Sequence, residues 1–233
     1  MPNRSHIILD WAVPVTLLAA LTVALRVTDL DMAFERRFFV AGEGWPTGSG
    51  QPWDFLYHYG VIPAWVIALA SLAALVASIW KCKLAPSRRA AAFFVLVLAI
   101  APGLIVNTAF KQNWGRPRPK DVVELGGDRA FLPVWEKGEK GMGNAFASGH
   151  AAMAFYLFVP WFLARRRDAR RGLLWLLAGM VYGSLMGVAR MAQGAHFLSD
   201  VVWSAGFVYL TALSLFYGLG LHRRPLPTIP GVC

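Results

Sequence analysis

Apolar residues fall in six blocks, at 11–27, 61–80, 90–110, 150–164, 172–188 and 201–221. Most approach the ~20 residues an α-helix needs to cross hydrocarbon, and the fourth is the shortest. The residues are blocked rather than scattered, which separates membrane spans from a large soluble core. The pattern predicts an all-α, polytopic membrane protein: a six-transmembrane-helix bundle, with 1–233 as one membrane-embedded domain. Arg4 ahead of the first block has the look of a signal peptide. Arg26 and Asp29 then follow without a clear small-residue cleavage site, so the first block reads as a retained helix. Between the blocks, 28–60 is rich in aromatics and acids (Trp45, Trp53, Tyr57, Asp29, Asp31, Glu35, Glu43) and reads as an interfacial belt around a loop. The longest connection is 111–148, and 190–199 is a short one.

Composition sharpens the assignment to the membrane. The chain is 57% hydrophobic with a mean hydropathy of +0.48, and only 15% of its residues are charged, against ~25% in soluble domains. Its net charge of +10 would suggest nucleic acid on a soluble domain. Here the excess sits in short clusters between apolar blocks, which turns it into an orientation signal and argues against a nucleic-acid partner. Lys81, Lys83, Arg88 and Arg89 follow the second block; Arg165, Arg166, Arg167, Arg170 and Arg171 follow the fourth; His222, Arg223 and Arg224 follow the sixth. The positive-inside rule places all three in the cytoplasm, with both termini. Cys82 in a basic loop and Cys233 at the last position offer neither a disulfide framework nor a thiol metal site.

Three polar clusters interrupt the pattern, and all fall on the extracytoplasmic face. In "KQNWGRPRP", Lys111 closes the third block and Arg118 follows seven residues later. Snorkelling anchors explain such cations, but Pro117 and Pro119 stiffen the backbone around Arg118, which suits a guanidinium held for bidentate contact with an oxyanion. In "FASGHAAMAF", Ser148 is a natural N-cap for the fourth helix. Gly149 leaves room for an anion at the backbone N–H groups, and His150 falls on the first turn. In "RMAQGAHFLSD", Arg190 ends the fifth helix, while His196 and Asp200 are four apart and share a face if both lie on the sixth. A carboxylate bonded to one imidazole nitrogen leaves the other basic or nucleophilic.

Each cluster alone has a bland explanation. Together they supply three cations, two histidines, an orienting acid and a Ser-Gly helix start on one face. That set can bind a tetrahedral oxyanion and transfer a phosphoryl group. Lys111, Arg118 and Arg190 would neutralise the equatorial oxygens, one histidine would attack phosphorus and the other would protonate the leaving oxygen. No carboxylate cluster suggests a metal, and no cofactor is implied.

Lys111-x6-Arg118-Pro119, Ser148-Gly149-His150 and Arg190-x5-His196-x3-Asp200 together resemble the three-part signature of the type 2 phosphatidic acid phosphatase superfamily, over roughly 104–220. The resemblance implies a six-helix membrane bundle and a metal-independent phosphatase working through a phosphohistidine. It assigns His196 as nucleophile, Asp200 as its orienting partner and His150 as general acid. Lys111, Arg118, Ser148, Gly149 and Arg190 become the phosphate cradle. Two positions depart from the family pattern: Ala147 stands where Pro is usual, and Ala189 where Ser is usual.

A lipid phosphate in the bilayer is the natural substrate for a cradle at headgroup depth. The 111–148 connection adds Lys120, Arg129, Lys137 and Lys140, a lid suited to a bulky anionic headgroup. With its Gly126-Gly127 turn, that stretch is similar to bacterial lipid A phosphatases of the superfamily. Undecaprenyl diphosphate, phosphatidylglycerophosphate and phosphatidic acid are the competing substrates. A lipid phosphotransferase using the same site is the competing reaction. A vanadate-dependent haloperoxidase shares the cradle, but the spans and short chain argue against it. An anion transporter would carry its charges along a path through the bundle rather than at one face. The expected location is the bacterial inner membrane with the site facing outward; oligomeric state is left open.

Overall fold

A computed structural model describes residues 4–223; Arg224 and Cys233 lie outside the described residues, as does the side chain of Cys82. The described chain is helical, with isolated bridges at Val40–Gly44 and Val122–Arg129 and no strand among the described residues. Its helices are α1 (Arg4–Val27), α2 (Leu30–Glu35), α3 (Trp53–Tyr59), α4 (Ile62–Trp80), α5 (Arg88–Leu98), α6 (Gly149–Phe155), α7 (Trp161–Ala164), α8 (Ala169–Ala192) and α9 (Leu198–Gly218). A π-helical stretch, Ala99–Phe110, prolongs α5. Pro102 within it has no N–H to donate to the preceding turn. The widened turns persist to the end, where the Lys111 N–H donates to the Val106 carbonyl at 2.9 Å.

Five helical stretches among the described residues are long and apolar enough to cross a membrane: His6–Val27, Trp53–Trp80, Arg88–Phe110, Ala169–Ala192 and Leu198–Gly218. The fourth expected span is realised as the shorter Gly149–Ala164, in which α6 passes through a 3₁₀ turn at Tyr156–Phe158 before α7. It differs from the others because it is the core. Ala151, Ala152, Ala154, Phe155, Tyr156, Phe158 and Phe162 are all buried, packed against α8 and α9. Close approach to α8 depends on glycine: a Cβ on Gly179 would fall 2.2 Å from the Phe158 nitrogen, and one on Gly183 would fall 2.1 Å from the Phe155 ring. The outside is apolar instead, with Leu9, Val13 and Leu17 on α1, Leu69 and Leu72 on α4, and Leu174 and Val181 on α8 exposed. A bundle that shows leucine to its surroundings and keeps its backbone bonded within helices is solvated by lipid. The protein is a polytopic membrane helical bundle.

The two ends of the bundle differ in charge. At one end Arg165 pairs with Asp10 of α1 at 2.5 Å, and the Tyr217 hydroxyl of α9 donates to the same carboxylate at 2.8 Å. Arg166 donates to the Leu221 carbonyl there. The start of α1, the basic segment after α7 and the end of α9 therefore meet. The opposite end carries α2, α3 and the 111–148 connection. That connection is folded down by main-chain bonds, Gly138 N–H to the Trp114 carbonyl and Ala145 N–H to the Arg116 carbonyl, both at 3.0 Å. Its Gly126-Gly127 turn closes as expected, with Gly126 left-handed at φ +85°.

Candidate active site

Lys111 emerges where the π-helical stretch ends, and the chain then turns sharply at Gly115, whose φ is +76° and whose Cβ would strike the Glu139 carbonyl. Between its two prolines Arg118 is extended (φ −79°, ψ 157°). Its N–H donates to Asp121 Oδ2 at 3.3 Å, and the Lys120 N–H two residues on donates to the Gly194 carbonyl at 3.1 Å. The arm that carries Arg118 is thus tied to the loop that carries His196. Beside it opens a cleft of about 690 Å³ lined by Asn107, Lys111, Arg118, Lys120, Arg129 and Asn144 among others.

Ser148 caps α6: its Oγ accepts from the Ala151 N–H at 3.4 Å, and its carbonyl accepts from Ser204 Oγ at 2.9 Å. The structural reason for Gly149 differs from the expected one. A Cβ there would lie 2.6 Å from Asn107 Oδ1, so the glycine admits a side-chain amide against the helix start. One residue on, the His150 ring stands 5.0 Å (centroid to centroid) from the ring of Tyr57 on α3. Tyr57 also meets Arg190, whose guanidinium carbon is 4.5 Å from the ring centroid. Arg190 is also held through Nη1 by the Gln193 side-chain oxygen. Its Nε, like that of Arg118, is buried with no hydrogen-bond partner. Two guanidinium donors withheld from the protein suit an incoming oxyanion.

His196 is 1% exposed and does not lie on α9. Asp200 Oδ2 accepts the Phe197 N–H at 2.8 Å, which starts the helix at Leu198 and leaves His196 in the approach to it. Asp200 is also not the hydrogen-bond partner of the ring. Nδ1 is 2.7 Å from the Ala145 carbonyl and 3.8 Å from Asp200 Oδ2. Only an N–H can satisfy a carbonyl, so the proton sits on Nδ1 and the Nε2 lone pair is free. Asp200 acts from ion-pair distance.

Burial pushes the His196 imidazole down to about 4; Asp200 opposes this, and the nearby Arg190 and Lys111 add to it. The Lys111 ammonium is likewise lowered, by burial and then by Arg118 and Arg190. Three cations crowd the site and repel one another, with Asp121 the acid in the cleft wall, and a phosphate would relieve that cost. The sign for pH follows. A base with its folded pKa near 4 stays neutral throughout pH 5–7. Once the substrate's own ionisation near pH ~6 is divided out, the acid limb of kcat/KM set by this imidazole is expected near pH ~4. A corrected acid limb near pH ~6.5, the ordinary histidine value, would show that this imidazole is not depressed.

All eight expected residues lie at the same end of the bundle, where Lys111 feels Arg118 and Arg190, and His196 feels Arg190 and Lys111. Four further residues were not singled out by sequence. Tyr57 reads as part of an aromatic belt, and Arg116 is overshadowed by Arg118 in the same "GRPRP" stretch. Asp31 and Glu35 are four apart on the short apolar helix "LDMAFE", a spacing that would have placed both acids on one face. Among the described residues no group of three or more His, Cys, Asp or Glu side chains is arranged to hold a metal ion.

Comparison with known proteins adds a family. Residues 90–223 match the family described as the PAP2 superfamily. A lipid A 4'-phosphatase of Francisella tularensis subsp. novicida (strain U112) is 40% identical over 125 residues, 53% of this chain and 55% of that protein. One of Rhizobium leguminosarum is 35% identical over 130 residues, 54% of each. The chain thus spans about half the length of the curated relatives it matches. No solved structure matches it.

Proposed function

The chain belongs to the PAP2 superfamily, and on that premise we propose that it is an integral membrane phosphatase that removes phosphate from a lipid headgroup, with lipid A as its substrate. The observation that carries this reading is the clustering of Lys111 and Arg190 about His196, with Arg118 beside Lys111 and two guanidinium Nε donors unpartnered. Nε2 of His196 attacks phosphorus in line with the lipid oxygen. The P–O bond breaks as an N–P bond forms, and His150 delivers the proton that the leaving oxygen needs. Water then attacks the phosphohistidine and gives a proton back to His150; the N–P bond breaks, phosphate departs and the His196 ring returns to neutral. The three cations hold the equatorial oxygens throughout, the electrostatic role a metal would otherwise fill. Ser148 and Gly149 complete the cradle by fixing the start of α6. Asp31 and Tyr57 lie outside residues 90–223, which supports the whole chain acting as one membrane-embedded domain.

Lipid A is preferred among the candidate lipids because the matched relatives carry that name and because the cleft is far larger than one phosphate, with Lys120 and Arg129 in its wall. The test is thin-layer analysis of purified protein against lipid A, undecaprenyl diphosphate, phosphatidylglycerophosphate and phosphatidic acid, with free phosphate measured in parallel. Lipid A is expected to be consumed with stoichiometric phosphate release, unaffected by chelator and inhibited by vanadate. Loss of lipid A phosphate without free phosphate would turn the reading to transfer onto a second lipid. Abolition by chelator with rescue by Mg²⁺ would sink the metal-free mechanism.

The proposed setting is the bacterial inner membrane with the site outward, supported by the basic residues gathered at the opposite end. Single cysteines placed at 120–141 in a variant free of Cys82 and Cys233 are expected to react with an impermeant thiol reagent in cells with a permeabilised outer membrane. Cysteines at 165–171 are expected to stay unlabelled until the inner membrane is broken. The opposite labelling pattern would invert the protein and move its substrate to the cytoplasmic leaflet.

A further inference from the structure

Behind the His196 ring lies a set of charges with no route to solvent. Arg116 is 0% exposed and uses its whole fork. Nη1 donates to Asp200 Oδ1 at 2.5 Å and to Ser199 Oγ at 2.7 Å, Nη2 to Asp31 Oδ2 at 2.8 Å, and Nε to the Leu132 carbonyl at 2.9 Å. The Phe197 ring covers the guanidinium at 4.6 Å. Asp31 in turn binds Ser199 twice, accepting its N–H at 2.8 Å and its hydroxyl at 2.6 Å. Arg116 also acts through its main chain, because its carbonyl accepts the Ala145 N–H at 3.0 Å. That approach requires Gly143, where a Cβ would fall 2.2 Å from the Arg116 oxygen. Ala145 is the residue whose carbonyl fixes the proton on His196 Nδ1.

We propose that Arg116 is a positioning residue for the nucleophile, holding both supports of the His196 ring: the Ala145 carbonyl through its main chain and the Asp200 carboxylate through its side chain. The proposal rests on His196 being the group that attacks phosphorus. A ring that forms an N–P bond through Nε2 while keeping its Nδ1 proton takes on positive charge, so it needs an acceptor at Nδ1 and a net negative charge behind it. Arg116 sits between two carboxylates, and one cation against two anions leaves one negative charge in the cluster. Glu35, also 0% exposed and with neither oxygen hydrogen-bonded, would double that charge if ionised. Burial, then Asp200 and Asp31 nearby, raise its pKa well above the usual carboxylate range, which favours the neutral form. A lysine in place of Arg116 would carry the charge but has no planar fork to reach Asp31, Ser199 and Asp200 together.

The experiment uses two variants of the full chain in detergent, each checked for folding by thermal melt. Arg116→Lys keeps the charge. Asp31→Asn/Arg116→Gln removes one buried charge of each sign, so that the net charge of the cluster is unchanged while Asp200 loses its guanidinium partner. Two readouts are taken, phosphate release and the ¹⁵N signals of the His196 ring. Both variants are expected to lose kcat by about tenfold or more with KM within about twofold. In both, the ring signals should shift from one tautomer towards the average of two. A merely structural role would lower the melting temperature and leave the kcat of the folded protein and the tautomer unchanged, and that result overturns the proposal. If the wild-type protein releases no phosphate from any lipid, the phosphatase reading fails by itself. The ring signals then decide the positioning role alone: a tautomer shift in the variants sustains it, and none overturns it. If Arg116→Lys does not fold, the double variant decides.

Discussion

His196→Ala is expected to reduce turnover by three orders of magnitude or more while the protein still folds and inserts. The ring supplies the atom that bonds to phosphorus, and direct attack by water lacks both its position and its nucleophilicity. Each factor of ten corresponds to about 1.4 kcal/mol of barrier, so a loss of about 4 kcal/mol is within what removing a covalent route costs. Folding should survive because the buried partners of the ring are supported without it. The Ala145 N–H is bound by Arg116, and Asp200 is bound by Arg116 and by the Phe197 N–H. Single-turnover phosphate release from a labelled lipid, with insertion checked by extraction from membranes, measures both. A variant that kept more than about a tenth of the wild-type rate would remove His196 from the role.

His150→Ala is expected to cost a factor of about 10² to 10⁴ with a lipid substrate, the usual range for a general acid. The size of the loss should depend on what leaves. A lipid alkoxide is a poor leaving group and needs its proton early, whereas an aryl phosphate leaves without one. The variant should therefore recover most of its rate on p-nitrophenyl phosphate, provided the short ester reaches the cleft. An equal loss on both substrates would make His150 a binding residue. The contacts of Tyr57 with both His150 and Arg190 make the outcome informative, because Tyr57 and Arg190 still touch when the imidazole is removed.

The spans were legible because lipid-facing helices are apolar over their full length, a signal that needs no tertiary information. Their ends were less so. α8 starts at Ala169, inside what reads as a basic loop, because Asp168 Oδ1 accepts the N–H groups of Arg170 and Arg171 at 2.9 and 3.2 Å. The three clusters were legible as residue types at set spacings, and the fold brings them to one end. What holds the ring was not. Asp31 and Arg116 are 85 positions apart, Arg116 and Asp200 84, and Ala145 acts through a carbonyl that every residue possesses. Periodicity reports which face of an element is buried, and says nothing about which charges meet across such distances. The expected helical spacing of His196 and Asp200 failed for a local reason, since the aspartate spends an oxygen on starting the helix that would have held them both.

The shortness of Gly149–Ala164 sets the depth at which the chemistry happens. At about 1.5 Å per residue its sixteen residues rise roughly 24 Å, against a hydrocarbon core of ~30 Å. On the proposed phosphatase reading, with Arg165 and Asp10 at the basic end, a helix of this length acts as a ruler that holds His150 short of the opposite interface. Turnover is then expected to run faster in thin bilayers, where phosphate lies nearer the level of the histidines, than in thick ones that must be deformed at each cycle.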